Sequence, residues 1–113
     1  MSGITTHVLD TSAGKPAAGV AVKLEVHMAD RWVTLAEKKT DGDGRARDLI
    51  ADGSRLDAGT YRITFATGAY FAGRGVAAFF PEATVVFEVK DAAQHYHVPL
   101  LLSPFGYSTY RGS

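Results

Sequence analysis

Apolar and polar residues alternate with period two through most of this chain. In "VAVKLEVHM", Val20, Val22, Leu24 and Val26 fall on one side, with Lys23, Glu25 and His27 opposite. In "GTYRITFAT", Tyr61, Ile63 and Phe65 share a side. Successive side chains of an extended strand point to opposite faces, so the pattern predicts strands with one buried face each. "ITTHVLD", "RWVTLAEKK", "TVVFEVK", "HYHVPLLLS" and "GYSTY" supply further strands. Turn residues separate them: "TSAGKPAAG" closes the first, Ala29-Asp30 joins two into a hairpin, and Ser103-Pro104 interrupts the last pair. "TDGDGRARDLI" reads as a loop with a short edge strand after it. Only "GAYFAGRGVAAFFPEA" has helical character, and its three glycines limit it to a turn or two. Seven or eight short strands with frequent turns predict an all-β, antiparallel sandwich, a single domain over 1–113.

Composition narrows the function. The chain has 113 residues, enough for one core and too few for two. Twelve basic residues balance twelve acidic ones, so no global field recruits nucleic acid or an acidic membrane. With no cysteine, disulfides, thiol nucleophiles and thiolate metal sites are excluded. "MSGITTHVLD" lacks a basic segment followed by an apolar stretch, and "YHVPLLLSPF" is far shorter than the roughly 20 residues that span a bilayer. The expectation is a soluble, cytoplasmic protein with no membrane partner.

Strand parity singles out one surface. In "HYHVPLLLS", Tyr96, Val98, Leu100 and Leu102 form an apolar face for the core, which leaves His95, His97, Pro99 and Leu101 together on the other. Proline and leucine beside two imidazoles fit a face that lines a cleft or meets another subunit better than one in water. The first strand repeats the arrangement: Val8 points to the core, with His7 and Leu9 opposite. Histidine exchanges protons near neutral pH, and an arginine beside it can hold an anion or a developing oxyanion. No nucleophile elbow is present, so histidine-activated water is the simplest chemistry. His95 and His97, two residues apart, could also chelate a metal with His7. No carboxylate lies near either in sequence, and neither metal nor cofactor is expected.

The residues also carry a resemblance. "HYHVPLLLSPFGYSTYRGS", His95 to Ser113, resembles the C-terminal signature of the 5-hydroxyisourate hydrolases, the transthyretin-related proteins of purine catabolism. "HVLDTSAGKPAAGVAV", His7 to Val22, resembles the N-terminal signature of the wider transthyretin family, and "TDGDGR", Thr40 to Arg45, its loop after the third strand. The resemblance implies a transthyretin-like β-sandwich of two four-stranded sheets with one short helix at "GAYFAGR". It implies a homotetramer, a dimer of dimers, with sites in the channel between dimers. It places the catalytic set on His7, Arg45, His97 and Ser113, with Tyr110, Arg111 and Gly112 completing the pocket. Leu9, Pro99 and Leu101 then line the channel. Parity left His95 and His97 equivalent; the resemblance selects His97, and likewise Arg45 over Arg47.

The activity so implied is hydrolysis of 5-hydroxyisourate to 2-oxo-4-hydroxy-4-carboxy-5-ureidoimidazoline in urate degradation, by attack of water on the ring carbonyl. The alternative is a carrier that binds a hormone-like ligand without chemistry, as transthyretin does. Such carriers place lysine, glutamate and threonine where this chain has His7, Arg45 and His97. They also lack the Tyr-Arg-Gly-Ser end, whose Tyr110 would close the channel to a shallow pocket.

Overall fold

The alternation in sequence becomes alternation in burial. In the computed structural model, which describes residues 3–50 and 56–112, strand β1 (Gly3–Asp10) buries Ile4, Thr6, Val8 and Asp10 and leaves the residues between them half-exposed. β2 (Lys15–Pro16), β3 (Ala21–Met28), β4 (Arg31–Lys39) and β5 (Arg45–Ala46) follow. β6 (Gly59–Phe65), helix α1 (Thr67–Ala72), β7 (Ala83–Val89), β8 (His95–Ser103) and β9 (Gly106–Thr109) complete the chain.

Two sheets result. One runs β4-β3-β6-β7 and the other β2-β1-β8-β9, with β5 also pairing β1. β2 lies against Leu9 and Asp10 while β5 lies against Thr6 and His7, so two very short strands share one edge of β1. β5 falls inside the glycine-rich loop, not after it as its composition suggests, because only Arg45 and Ala46 meet β1. Among the described residues every ladder is antiparallel except β1–β8, which runs parallel from Gly3↔His95 to Asp10↔Leu102. That exception to the antiparallel expectation matters, since it sets the register of the histidines.

The inward residues of both sheets form a shared core that includes Val8, Leu24, Ile63, Phe65 and Leu100, all fully buried. α1 spans under two turns and has no side-chain N-cap, so packing of Tyr70 and Phe71 holds it in place, not helix propensity. One polar hub is buried with them. Asp10 accepts hydrogen bonds from the Tyr70 hydroxyl (2.8 Å), the Ser12 hydroxyl (2.6 Å) and the Ser12 and Ala13 amides (both 3.1 Å). Burial pushes its carboxyl upward, but these donors outweigh burial and hold it below the ordinary value. On the outer face of the other sheet, Arg62 pairs with Glu25 (2.7 Å) and lies 4.2 Å over the Trp32 ring, with the exposed His27 ring tilted against the same indole. No described helix is long and apolar enough to cross a membrane.

Candidate active site

The loop between β4 and β5 builds one wall. Thr40 Oγ1 donates to the Ala17 carbonyl (2.7 Å) and accepts from the Val20 amide (2.9 Å). The Asp41 carboxylate gathers the amides of Asp43 (2.9 Å) and Arg45 (3.0 Å), and the Arg45 amide does most to hold its pKa below the ordinary carboxylate value. Gly44, at φ +77°, packs so close to the Val8 carbonyl that no Cβ fits there. The Val8 amide donates to the Gly44 carbonyl at 2.7 Å. This turn sets Arg45 opposite His7 in the β1–β5 ladder and aims the Asp43 carbonyl at the imidazole.

His7 Nε2 lies 2.8 Å from that carbonyl oxygen. A carbonyl only accepts, so Nε2 carries the proton and neutral His7 keeps its lone pair on Nδ1. On β8, His97 stands opposite Thr5, and its Nδ1 is 2.8 Å from the Thr5 hydroxyl. The same hydroxyl is 2.9 Å from Nε2 of His95. Burial, reinforced by Arg45, His7 and His95 around it, lowers the His97 pKa from the ordinary histidine value, which favours the neutral ring.

The chain beyond β9 returns to this face. An isolated bridge pairs Gly112 with His97, and the Gly112 amide donates to the His97 carbonyl at 2.8 Å. Continuing the β8–β9 register sets Tyr110 opposite Pro99 on the histidine face, where its side chain is exposed. The same register turns Arg111 to the other side. Its guanidinium lies 4.5 Å over the Tyr96 ring and donates to Gln94 (2.8 Å), so the structure does not bring it to the histidines.

Leu9 and Leu101 are paired and half-buried along the same face. Pro99, opposite His7, is buried already within the single chain and forms floor beneath its neighbours instead of open channel wall. Arg47 is exposed. Ser113 lies outside the described residues. Among the described residues no three histidine, aspartate or glutamate side chains gather as a metal would require.

The structure therefore joins His7, Arg45, His97, Gly112 and Tyr110 on one face and adds two groups that sequence reasoning missed. The Asp43 backbone leaves no trace in residue type. Thr5 had a signal: parity puts it on the face of His7 and Leu9.

The HIUase/Transthyretin family model matches residues 4–112. A 5-hydroxyisourate hydrolase from Caulobacter vibrioides is 50% identical, with all of both chains covered. Among solved structures, 5-hydroxyisourate hydrolase from Klebsiella pneumoniae superposes with a TM-score of 0.88 at 42% identity, again over the whole of both chains. Sea bream transthyretin in complex with thyroxine gives a TM-score of 0.90 at 37% identity, covering 96% of this chain and 93% of that one. Backbone likeness thus does not separate hydrolase from carrier, and the site residues must.

Proposed function

The chain belongs to the HIUase/transthyretin family, and on that premise we propose how it acts, as an enzyme that hydrolyses 5-hydroxyisourate in the degradation of urate. The observation that carries this reading is the grouping of two imidazoles and a guanidinium, His7, His97 and Arg45, around one strand face. The full-length 50% identity to a 5-hydroxyisourate hydrolase supports it. A carrier needs complementary charges that hold its ligand. This site offers a neutral imidazole, a second imidazole with a free lone pair and a nearby cation, the parts that amide hydrolysis by water requires.

In this mechanism the histidines position a water and move its proton as the oxygen attacks the ring carbonyl of the substrate. Arg45 stabilises the charge that develops on the carbonyl oxygen. The ring C–N bond then breaks, the nitrogen leaves with a proton, and the product is the ring-opened acid, 2-oxo-4-hydroxy-4-carboxy-5-ureidoimidazoline. Tyr110, Gly112, Leu9, Leu101 and Pro99 shape the pocket, with Ser113 next to Gly112 in sequence contributing a catalytic hydroxyl. Arg111 acts on substrate only by leaving its position over Tyr96.

The working form is a homotetramer, a dimer of dimers. Three features support it: the outer edges of β7 and β9 lack a strand partner among the described residues, a cleft of ≈ 260 Å³ lined by residues such as Val86, Tyr96 and Tyr110 runs between them, and Phe79, Phe105 and Tyr107 are exposed nearby. Generating 5-hydroxyisourate with urate oxidase and following its ultraviolet decay tests the activity. Acceleration over the spontaneous rate is expected; an unchanged rate, with thyroxine binding instead, would establish the carrier.

A further inference from the structure

The hydroxyl of Thr5 stands between two imidazoles, 2.9 Å from Nε2 of His95 and 2.8 Å from Nδ1 of His97. A hydroxyl has one proton to give, so it donates to one ring and accepts from the other. His95 determines the direction. Its Nδ1 is buried and makes no hydrogen bond among the described residues. An unpaired buried N–H is among the rarest and costliest arrangements in folded proteins, whereas a lone pair is tolerated there more readily. The proton of His95 therefore sits on Nε2 and is donated to Thr5. Thr5 in turn points its own proton at Nδ1 of His97, and the proton of neutral His97 is left on Nε2, which makes no hydrogen bond among the described residues.

We propose that Thr5 is a positioning residue which, backed by His95, fixes His97 as the tautomer presenting an Nε2–H to the site and so leaves His7 as the base. The proposal rests on the hydrolase reading and divides its labour. His7 has already committed Nε2–H to the Asp43 carbonyl, which leaves Nδ1 to take a proton from water. As that proton transfers, the water oxygen bonds to the carbonyl carbon and the C=O electron pair moves onto the carbonyl oxygen. There it meets Arg45 and the Nε2–H of His97. When the pair re-forms the carbonyl, the C–N bond breaks and the nitrogen takes the proton held by His7. His97 donates a hydrogen bond throughout and never loses its proton.

Among the described residues, the titratable and charged groups facing His97 are Arg45 from β5, His7 from β1 and His95 from its own strand. All three oppose a positive charge on it. A proton added at Nδ1 would also leave two N–H groups aimed at one hydroxyl, so the network favours the neutral ring.

Long-range proton–nitrogen NMR on the resting protein at neutral pH reads the tautomer directly. The expected result is a protonated Nε2 and a bare Nδ1 on His97 in the wild type, with that preference lost in Thr5→Val and restored in Thr5→Ser. In the decay assay Thr5→Val should lower kcat about tenfold, the worth of one neutral hydrogen bond, with KM little changed, and Thr5→Ser should recover most of it. A wild-type His97 protonated on Nδ1 would overturn the proposal, as would a Thr5→Val variant that keeps both tautomer and kcat. The spectrum needs no substrate. A correct tautomer in a protein inactive on 5-hydroxyisourate would sink the assigned reaction and leave the hydrogen-bond chain standing.

Discussion

Gly112 lies flat against the imidazole of His97: a Cβ built on it would sit 2.5 Å from Cδ2 and 3.2 Å from Cγ. Its amide is meanwhile tied to the carbonyl of the same residue. The glycine is thus part of the mould that fixes the ring, and there is no room to add a methyl group without turning His97.

Gly112→Ala should therefore separate activity from stability. Displacing a catalytic ring by about 1 Å can cost 10²-fold in rate. The residue lies beyond the last strand and outside the core, so thermal unfolding should change little. Steady-state kinetics beside a melting curve provides the check, and full activity in this variant would mean that His97 is not held by the chain that crosses it.

Gly44→Ala should damage both properties together. The position combines a left-handed backbone with contact against the Val8 carbonyl, so alanine meets strain and a steric clash at once. A loss of about 1–3 kcal/mol is expected in denaturant unfolding. Activity should fall further than that loss explains, because the same turn orients Arg45 and the Asp43 carbonyl that orders His7.

Titration of His97 followed by NMR should give a midpoint below the ordinary histidine value of about 6.5, with burial the leading cause and the Arg45 guanidinium adding to it. Arg45→Gln should move the midpoint back upward. The sign for stability follows: a histidine whose folded pKa is depressed contributes stability that is complete above its unfolded value. That stability is lost as pH falls through the folded one. A midpoint above 6.5 would remove the argument for a neutral ring.

The Asp10 hub makes a different prediction. Asp10→Ala strands the buried Tyr70 hydroxyl and takes the acceptor from the more exposed donors of Ser12 and Ala13, so a destabilisation of about 1–3 kcal/mol is expected. Tyr70→Phe should cost about 1 kcal/mol. Because the folded carboxyl is depressed below 3.8, its stabilisation is present above that value and fades as pH falls through the folded pKa. Wild type should lose stability on acidification over this range, and Asp10→Ala should lose less.

Strand parity was enough to put His7 with Leu9 on one side of β1 and His95, His97, Pro99 and Leu101 on one side of β8, because alternation is a property of each strand alone; the β1–β8 pairing joins the two sides into one face. The choice between His95 and His97 was not legible from parity. It depends on the parallel register of β1 and β8, a pairing between segments 92 residues apart at Thr5 and His97. β2 escaped notice, and the short edge strand expected after the glycine-rich loop lies inside it as β5, because two residues are too few to display a period. Arg111 illustrates the opposite lesson. Extending the β9 alternation through "STYRG" already separates Tyr110 and Gly112 from Arg111, which the structure finds over Tyr96.

The parallel ladder of β1 and β8 also has a history in time. The hairpin of β3 and β4, which carries Trp32, can close as soon as it is made, whereas β1 must wait with an unsatisfied edge until β8 exists. During refolding, Trp32 fluorescence should recover ahead of catalytic turnover, and on the ribosome β1 is made long before its partner β8. The interval between those events is when the exposed edge of β1 is open to a wrong strand, and the face that carries His7 and His97 is the part of the molecule that such an error would destroy.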